Sequence, residues 1–462
     1  MLRLYDSVTG EVGELSLRDP GRFSMYVCGP TVNAPPHLGH GRFSLVWDVV
    51  RRWQTWNGLD VTYVSNVTDI DDKIIAVAGA SGRTEPEVAD EYERQWWSSM
   101  SALGVARPTH VPHATEFISP MVALISRLVR ADVAYETSDG VYFDVSKVPD
   151  YGLLAGQPLE SLRAGARIES RDEKRSPLDF ALWKKAKPGE PTWPAPFGDG
   201  RPGWHTECVV MSLALLGEGF DLHAGGQDLK FPHHENERAQ AVADGSLFAR
   251  HWDHNGWVEV GGVKMGNSLN NFTTLAELLE RTDQRAYRLL VLRSHYRSPI
   301  EVSGDTIADA ERALARLDAL ARRFKLRELA GERLERRDEF TWTTETRELA
   351  ERFGALIDDD LDTPQALALI FTAATSANTR ADEGDTIGAQ AIAEAVAALL
   401  GSLGLALRSR DDDVDVDARK IVEARDAARA ARDFAEADRL RDELVDRGWI
   451  VEDSSAGTVI RR

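Results

Sequence analysis

The stretch that most constrains this chain is a short apolar run, Met25 to Cys28, that breaks at Gly29-Pro30, crosses Pro35 and Pro36, and gives way to a helical pattern from Gly39. Proline fixes φ and lacks an amide hydrogen, so no helix can start before about His37. Beyond it, Phe43, Val46, Val49, Val50, Trp53 and Trp56 recur at three- and four-residue intervals, and Asn57-Gly58 supplies the stop. A second apolar run, residues 61–67, then reads as a strand. Strand, loop, helix and strand make a βαβ unit, which predicts an α/β fold with a parallel sheet. Its ligand site is expected at the carboxyl ends of the strands, here Cys28 to His40.

Helical spacing recurs over 84–106 and 114–131, whereas 165–203 is dense in Pro, Gly and Lys and breaks every periodicity. Residues 110–200 therefore read as an insertion in an α/β domain spanning 1–305, whose pattern resumes over 204–300. Residues 306–403, rich in Ala, Leu, Arg and Glu, predict a helix bundle. An acidic linker follows at 404–417, and 418–462 reads as one charged helix ending near Gly448 and a small extended piece. Neither an 18-residue apolar run nor a basic and apolar leader is present, so a cytoplasmic protein with no membrane partner is expected. With no exposed coiled-coil seam in the pattern, a monomer is expected.

Acidic residues outnumber basic ones 75 to 55. The net field repels phosphate backbones, so a nucleic-acid partner must find a local face. The only cysteines, Cys28 and Cys208, lie 180 positions apart and cannot form a disulfide framework.

Eight of the eleven histidines fall in two blocks: His37 and His40, then His205, His223, His233, His234, His251 and His254. The first pair sits in the strand-to-helix loop, where free amides and the helix dipole attract phosphate and imidazoles add donors. A metal pair is the competing reading. In KFPHHENE, His233 and Glu237 are four apart and share a helix face; with Cys208 and Cys28 they make a tetrahedral zinc set of two thiolates, an imidazole and a carboxylate. The competing reading is two buried thiols that never meet. Residues 261–272 form a glycine-bounded loop able to swing Lys264 toward a phosphate.

In this order the segments resemble a class I aminoacyl-tRNA synthetase, and in detail the cysteinyl-tRNA synthetase family, over nearly the whole chain. MYVCGPTV with PPHLGH resembles the first signature, YVSNVTDIDDKI the second strand region, GRPGWHTEC and FPHHENE the metal segments, SHYRSPI the stem-contact region, and DDDLDTPQAL and RDFAEADRLRDEL the tRNA-reading parts. The resemblance implies a Rossmann-type catalytic domain with an inserted connective segment, a helix bundle and a small C-terminal anticodon-reading domain. It implies one Zn²⁺ per chain on Cys28, Cys208, His233 and Glu237, and His37, His40 and Lys264 at the ATP phosphates. Gly39, Gly226, Asp228 and Asn267 would also meet ATP, with Gly226 and Asp228 near the ribose, while Thr68, Trp204, His205 and His223 would line the amino-acid pocket. The implied substrates are L-cysteine, ATP with Mg²⁺ and tRNA(Cys), joined through a cysteinyl-adenylate. A pocket that merely fits a small side chain rejects a near-isostere by only about 1–3 kcal/mol, so a metal that grips sulfur would replace an editing domain. The alternatives are a cysteine ligase acting on an amino sugar, as in mycothiol synthesis, and a non-catalytic tRNA- or metabolite-binding paralogue.

The chain departs from the resemblance at one loop. The family's second signature, KMSKS, reads KMGNS here, and Asn267 occupies its second lysine position. The tail departs too: residues 419–447 hold eight basic and eight acidic residues, so base reading there would fall to Phe434, Trp449, Arg461 and Arg462.

Overall fold

The computed structural model describes residues 1–157, 173–261, 263–264, 274–328, 332–409, 416–447, 449–454 and 457–461. The strand that opens the βαβ unit, Arg22–Val27, is an inner, central strand of a four-stranded parallel sheet. Asp60–Val64 pairs on one side of it, and Leu222–Gly226 and then His251–Asn255 on the other. The helix Leu38–Trp56 carries the chain from Arg22–Val27 to Asp60–Val64, while the next strand in the opposite direction arrives only after residue 221. The order therefore reverses beside the central strand, which opens a crevice at its carboxyl end.

His37 caps the helix Leu38–Trp56, one residue past the proline pair. Nearly the whole helix is buried, including Asp48 and Arg52, an i,i+4 ion pair at 2.7 Å that Arg288 joins at 2.8 Å. Helices Asp72–Ser81 and Glu85–Ala102 follow, ahead of Ile118–Arg130.

The insertion contains structure that its composition hides. Ala134–Glu136, Gly140–Phe143, Phe180–Lys185 and Gly200–Pro202 form an antiparallel sheet packed into the main core through Val141, Phe143, Leu182 and Trp183. Helix Trp204–Leu216 returns the chain to the parallel sheet.

Helices Thr344–Ile357, Thr363–Asp382 and Thr386–Gly401 pack on one another in the predicted bundle region. One compact unit comprises residues 1–320 and 329–407; the other comprises 321–328 and 408–462. In the second, the single helix expected over 418–448 is two, Val416–Ala430 and Phe434–Asp446. Arg432 adopts φ 59°, and Asp433 caps the second helix by accepting from the Glu436 amide. The extended piece is a hairpin, Ile450–Ser454 with Gly457–Arg461. Trp449 is not a surface platform: it is 2% exposed and fills a small core with Ala418, Ile421, Leu440 and Leu444, whereas Phe434 is 65% exposed. Arg462 lies outside the described residues. Among those described, no helix is long and apolar enough to cross a membrane.

Candidate functional site

The crevice is floored by four residues. Cys28 follows the central strand, Cys208 lies in the second turn of Trp204–Leu216, and His233 and Glu237 flank the start of helix Glu235–Ala243. All four are at most 3% exposed. The sulfurs are 3.6 Å apart; Cys208 Sγ is 3.6 Å from His233 Nε2, Cys28 Sγ is 3.4 Å from Glu237 Oε1, and His233 Nε2 is 3.0 Å from that oxygen. Bonds of about 2.3 Å to sulfur and about 2.0–2.1 Å to nitrogen or oxygen at tetrahedral angles give edges of about 3.8 Å for S···S, about 3.6 Å for S···N or S···O and about 3.4 Å for N···O. The four side chains thus surround a space of zinc size with zinc donors, compatible with a metal site.

The electrostatics of the cluster fit the same purpose. Burial pushes the Cys28 thiol well up, and Cys208 adds to it. Burial acts in the same sense on Cys208, but hydrogen bonds with Cys28 and His233 outweigh it and bring that thiol down to about 6. On His233 burial lowers the pKa, yet attraction to Glu237 and the bond to Cys208 raise it to about 10. Glu237 is held well below the carboxylate range, against burial, by His223 and His233.

The pocket residues implied by the resemblance converge on this cluster. Trp204, 36% exposed, stacks on His233 with ring centroids 4.0 Å apart. His205 Nδ1 is 2.8 Å from His233 Nδ1, on the far side of the ring from the cluster. An imidazole that offers Nε2 to a metal carries its hydrogen on Nδ1, so His205 accepts it and fixes the ring. His223 Nε2 is 2.8 Å from the other oxygen of Glu237, and its ring stacks on Trp252. Thr68 donates to Glu207 Oε2 at 2.8 Å. Burial pushes the Glu207 carboxyl well up, and Cys208 adds to it.

At the mouth, His37 and His40 stack with centroids 3.7 Å apart. Each accepts the other's backbone amide through Nδ1, at 3.3 and 3.4 Å. Burial lowers both pKa values, His40 well below the usual value, with His37 adding to the effect. Both rings are thus neutral, with the hydrogen on Nε2. Gly39 lies in the first turn, while Gly226 ends its strand, where a Cβ would come within 2.7 Å of Asp228 Oδ1. Lys264 is placed by its backbone alone, on Val263–Lys264 paired with Val258–Val260. The chain re-emerges at Thr274, bridged to His37, with the Leu275 amide donating to the Pro36 carbonyl. Asn267 lies outside the described residues.

Several residues around the site were given no role by the reading of the sequence. Asn66 accepts the Gly29 amide at 2.9 Å and lies 3.7 Å from Cys208 Sγ. Gly29 has no room for a Cβ, which would fall 1.7 Å from the Asn66 carbonyl oxygen. His234 meets His254, which meets Ser7, each contact 2.8 Å. The available signals were polar residues inside apolar runs: Asn66 after a strand, Glu207 beside a thiol, and His254 in HWDHN.

Residues 15–312 match the family model of the class I tRNA synthetase (C) catalytic domain, and 352–408 that of the DALR domain. The chain is 44% identical to the cysteine–tRNA ligase of Halorhodospira halophila (strain DSM 244 / SL1), over 472 residues and all of both chains. It belongs to the cysteine–tRNA ligase family. The corresponding ligase of Alkalilimnicola ehrlichii (strain ATCC BAA-1101 / DSM 17681 / MLHE-1) is 45% identical, again over the full length of both. In fold, this synthetase is similar to the Mycobacterium tuberculosis methionyl-tRNA synthetase in complex with methionyl-adenylate, with a TM-score of 0.61 over 90% of this chain and 96% of that one. At 17% identity that likeness shows the class I architecture and nothing finer.

Proposed function

We propose that this synthetase joins L-cysteine to tRNA(Cys) in two steps, through a cysteinyl-adenylate, and that Cys28, Cys208, His233 and Glu237 hold one Zn²⁺ that selects the amino acid. The observation that carries the reading is the buried cluster of two thiols, an imidazole and a carboxylate at the floor of the crevice. When bound, the ion supplies a soft Lewis acid that prefers a thiolate to a hydroxyl or methyl group.

The chain's own residues do the rest. Trp204, His205, His223 and Thr68 enclose the amino acid and hold the donor set in place. ATP enters with Mg²⁺, its ribose against Gly226 and Asp228 and its phosphates over Gly39 and the start of helix Leu38–Trp56. The amino-acid carboxylate attacks the α-phosphorus, and pyrophosphate leaves. As charge builds on the phosphates, the Nε2 hydrogens of His37 and His40 and the ammonium of Lys264 meet it; donors aimed at developing charge lower the barrier more than they tighten ground-state binding. Asn267 offers an amide hydrogen but no charge. A terminal ribose hydroxyl of the tRNA then takes the acyl group and releases AMP, with the bundle and the C-terminal unit available to grip the tRNA.

Cysteine-dependent ATP–pyrophosphate exchange tests this directly. Cys208→Ser is expected to remain folded, to lose its bound metal and to lose at least about 100-fold in exchange, the scale of a disrupted electrostatic site. Unchanged affinity for cysteine in the metal-free variant would overturn the assignment.

A further inference from the structure

We propose that Arg42 is a positioning residue for the first step: its buried guanidinium sets the strand that carries Lys264 at a fixed place relative to the helix start that carries His37 and His40. This rests on the reading that Lys264 meets the ATP phosphates.

Arg42 is 1% exposed and lies two residues beyond His40 in helix Leu38–Trp56. At about 100° per residue, its side chain leaves the helix on the face opposite His40. A buried arginine ordinarily pairs with a carboxylate. Among the described residues Arg42 has no such partner, and backbone oxygens meet its charge instead. Nη1 donates to the Trp257 carbonyl at 2.6 Å. Nη2 donates to the Tyr296 carbonyl at 2.9 Å and to that of Ser298, with the His295 carbonyl at 3.4 Å. Burial brings the guanidinium down to about 10, against the pull of Tyr287, so it is a cation at pH 7.

These carbonyls lie on two segments that meet in one small sheet. Val258–Val260 is its middle strand, between Val263–Lys264 and Ile300–Glu301. Trp257 immediately precedes the middle strand, and Ser298 lies two residues before Ile300. Two of the carbonyls already serve the backbone: Trp257 accepts the Ile300 amide at 3.1 Å, and Tyr296 accepts the Gly256 amide at 2.9 Å. Pairing of the two segments therefore does not itself call for the guanidinium. What Arg42 adds is a link from their junction to the helix, and its planar fork fixes direction as well as distance. Lys264 is opposite Glu259, two residues past Trp257. Its backbone is thus on the order of 8 Å from the clamped carbonyl, two strand steps along and one strand spacing across. Over so short a paired stretch a shift at Trp257 reaches Lys264, and a displacement of about 1 Å at a reacting centre can cost about 100-fold.

The experiment is a double-mutant cycle in cysteine-dependent ATP–pyrophosphate exchange, on metal-replete Arg42→Lys, Lys264→Met and the pair. Lysine keeps the charge but lacks the fork that spans the carbonyls. Arg42→Lys is expected to lower kcat about 10- to 100-fold, with KM for cysteine within about 2-fold of the wild type. Lys264→Met is expected to lose about 100-fold or more. In that background Arg42→Lys should cost no more than about 3-fold, because the group it positions is gone. A residue that merely props the fold would lower the melting temperature and let the two losses multiply in full, and that result overturns the proposal, as does an unchanged kcat in folded Arg42→Lys. Should Arg42→Lys not fold, Arg42→Gln, which donates without a charge to bury, carries the same cycle. Exchange at the wild-type rate in Lys264→Met would sink the reading of Lys264 and the proposal with it, whereas a crippled Lys264→Met with multiplying losses sinks the positioning role alone.

Discussion

Each imidazole of the stacked pair spends Nδ1 on the helix cap, leaving Nε2–H as the donor proposed above to meet a phosphate. The two jobs separate by mutation. In His40→Asn the amide oxygen replaces Nδ1 as the acceptor for the His37 amide, but nothing replaces Nε2–H. Its melting temperature is expected to stay close to that of the wild type, while exchange falls about 10²- to 10³-fold, as when an oxyanion donor is deleted. His40→Ala should show that loss plus about 0.5–2 kcal/mol of lost stability from the broken cap; equal melting curves for the two variants would refute the division. The metal cluster makes a second claim at this scale. With Cys28 raised and His233 held near 10, both carry protons at pH 7, while Cys208 at about 6 carries little. Calorimetry in buffers of different ionisation enthalpy should show about two protons released per Zn²⁺ bound, and affinity falling as pH is lowered. The four candidate ligands were legible because two rare thiols and an i,i+4 His/Glu pair are chemically unusual in a chain of this kind. Glu207 was not, since an acid in a helix reads as solvated until the surrounding sheet shows it buried.

Elements were legible where one period dominates. The helix Leu38–Trp56 was, because prolines set its start and its apolar spacing continues to Trp56. Strand His251–Asn255 was not: HWDHN has neither alternation nor β-branched residues, and it is a strand because His254, Asp253 and Asn255 each find a buried polar partner. The inserted strands were masked by the surrounding Pro and Gly, and the break at Arg432 by an even distribution of charge along the tail. Thr274 is bridged to His37. Asn267 stands at the second lysine position of the resembled KMSKS signature. Restoring the charge-assisted contact to leaving pyrophosphate, worth about 1.5–3 kcal/mol, predicts that Asn267→Lys raises pyrophosphate exchange by about 10-fold or more. An unchanged rate would mean that another cation already fills that role.

Across the larger unit, the Tyr296 phenol ties strand His251–Asn255 to the turn between helices Thr344–Ile357 and Thr363–Asp382. Tyr296 Oη lies 2.7 Å from Asp253 Oδ2 and 2.8 Å from Asp360 Oδ1. One phenolic hydrogen cannot serve two carboxylates. Asp360 pairs with Arg297 and accepts the Tyr5 amide at 2.9 Å, so it is the acceptor of the phenolic hydrogen. Asp253, which also accepts the His254 amide, is then a neutral acid donating to the phenol oxygen. Its pKa direction agrees: burial pushes the carboxyl well above its usual value, the Tyr296 hydrogen bond opposes, and Asp360 adds to the rise. The sign for stability follows. A carboxyl whose folded pKa is raised contributes stability that is fully present below the unfolded pKa of about 4 and is lost as pH rises through the folded value. Asp253→Asn supplies an amide hydrogen to the phenol oxygen and has no charge to lose. It is therefore expected to melt higher than the wild type at pH 7 to 8, with the advantage shrinking toward pH 4. Melting curves across that range check it, and a variant less stable at pH 8 than at pH 4 relative to wild type would show that Asp253 is ionised and paired.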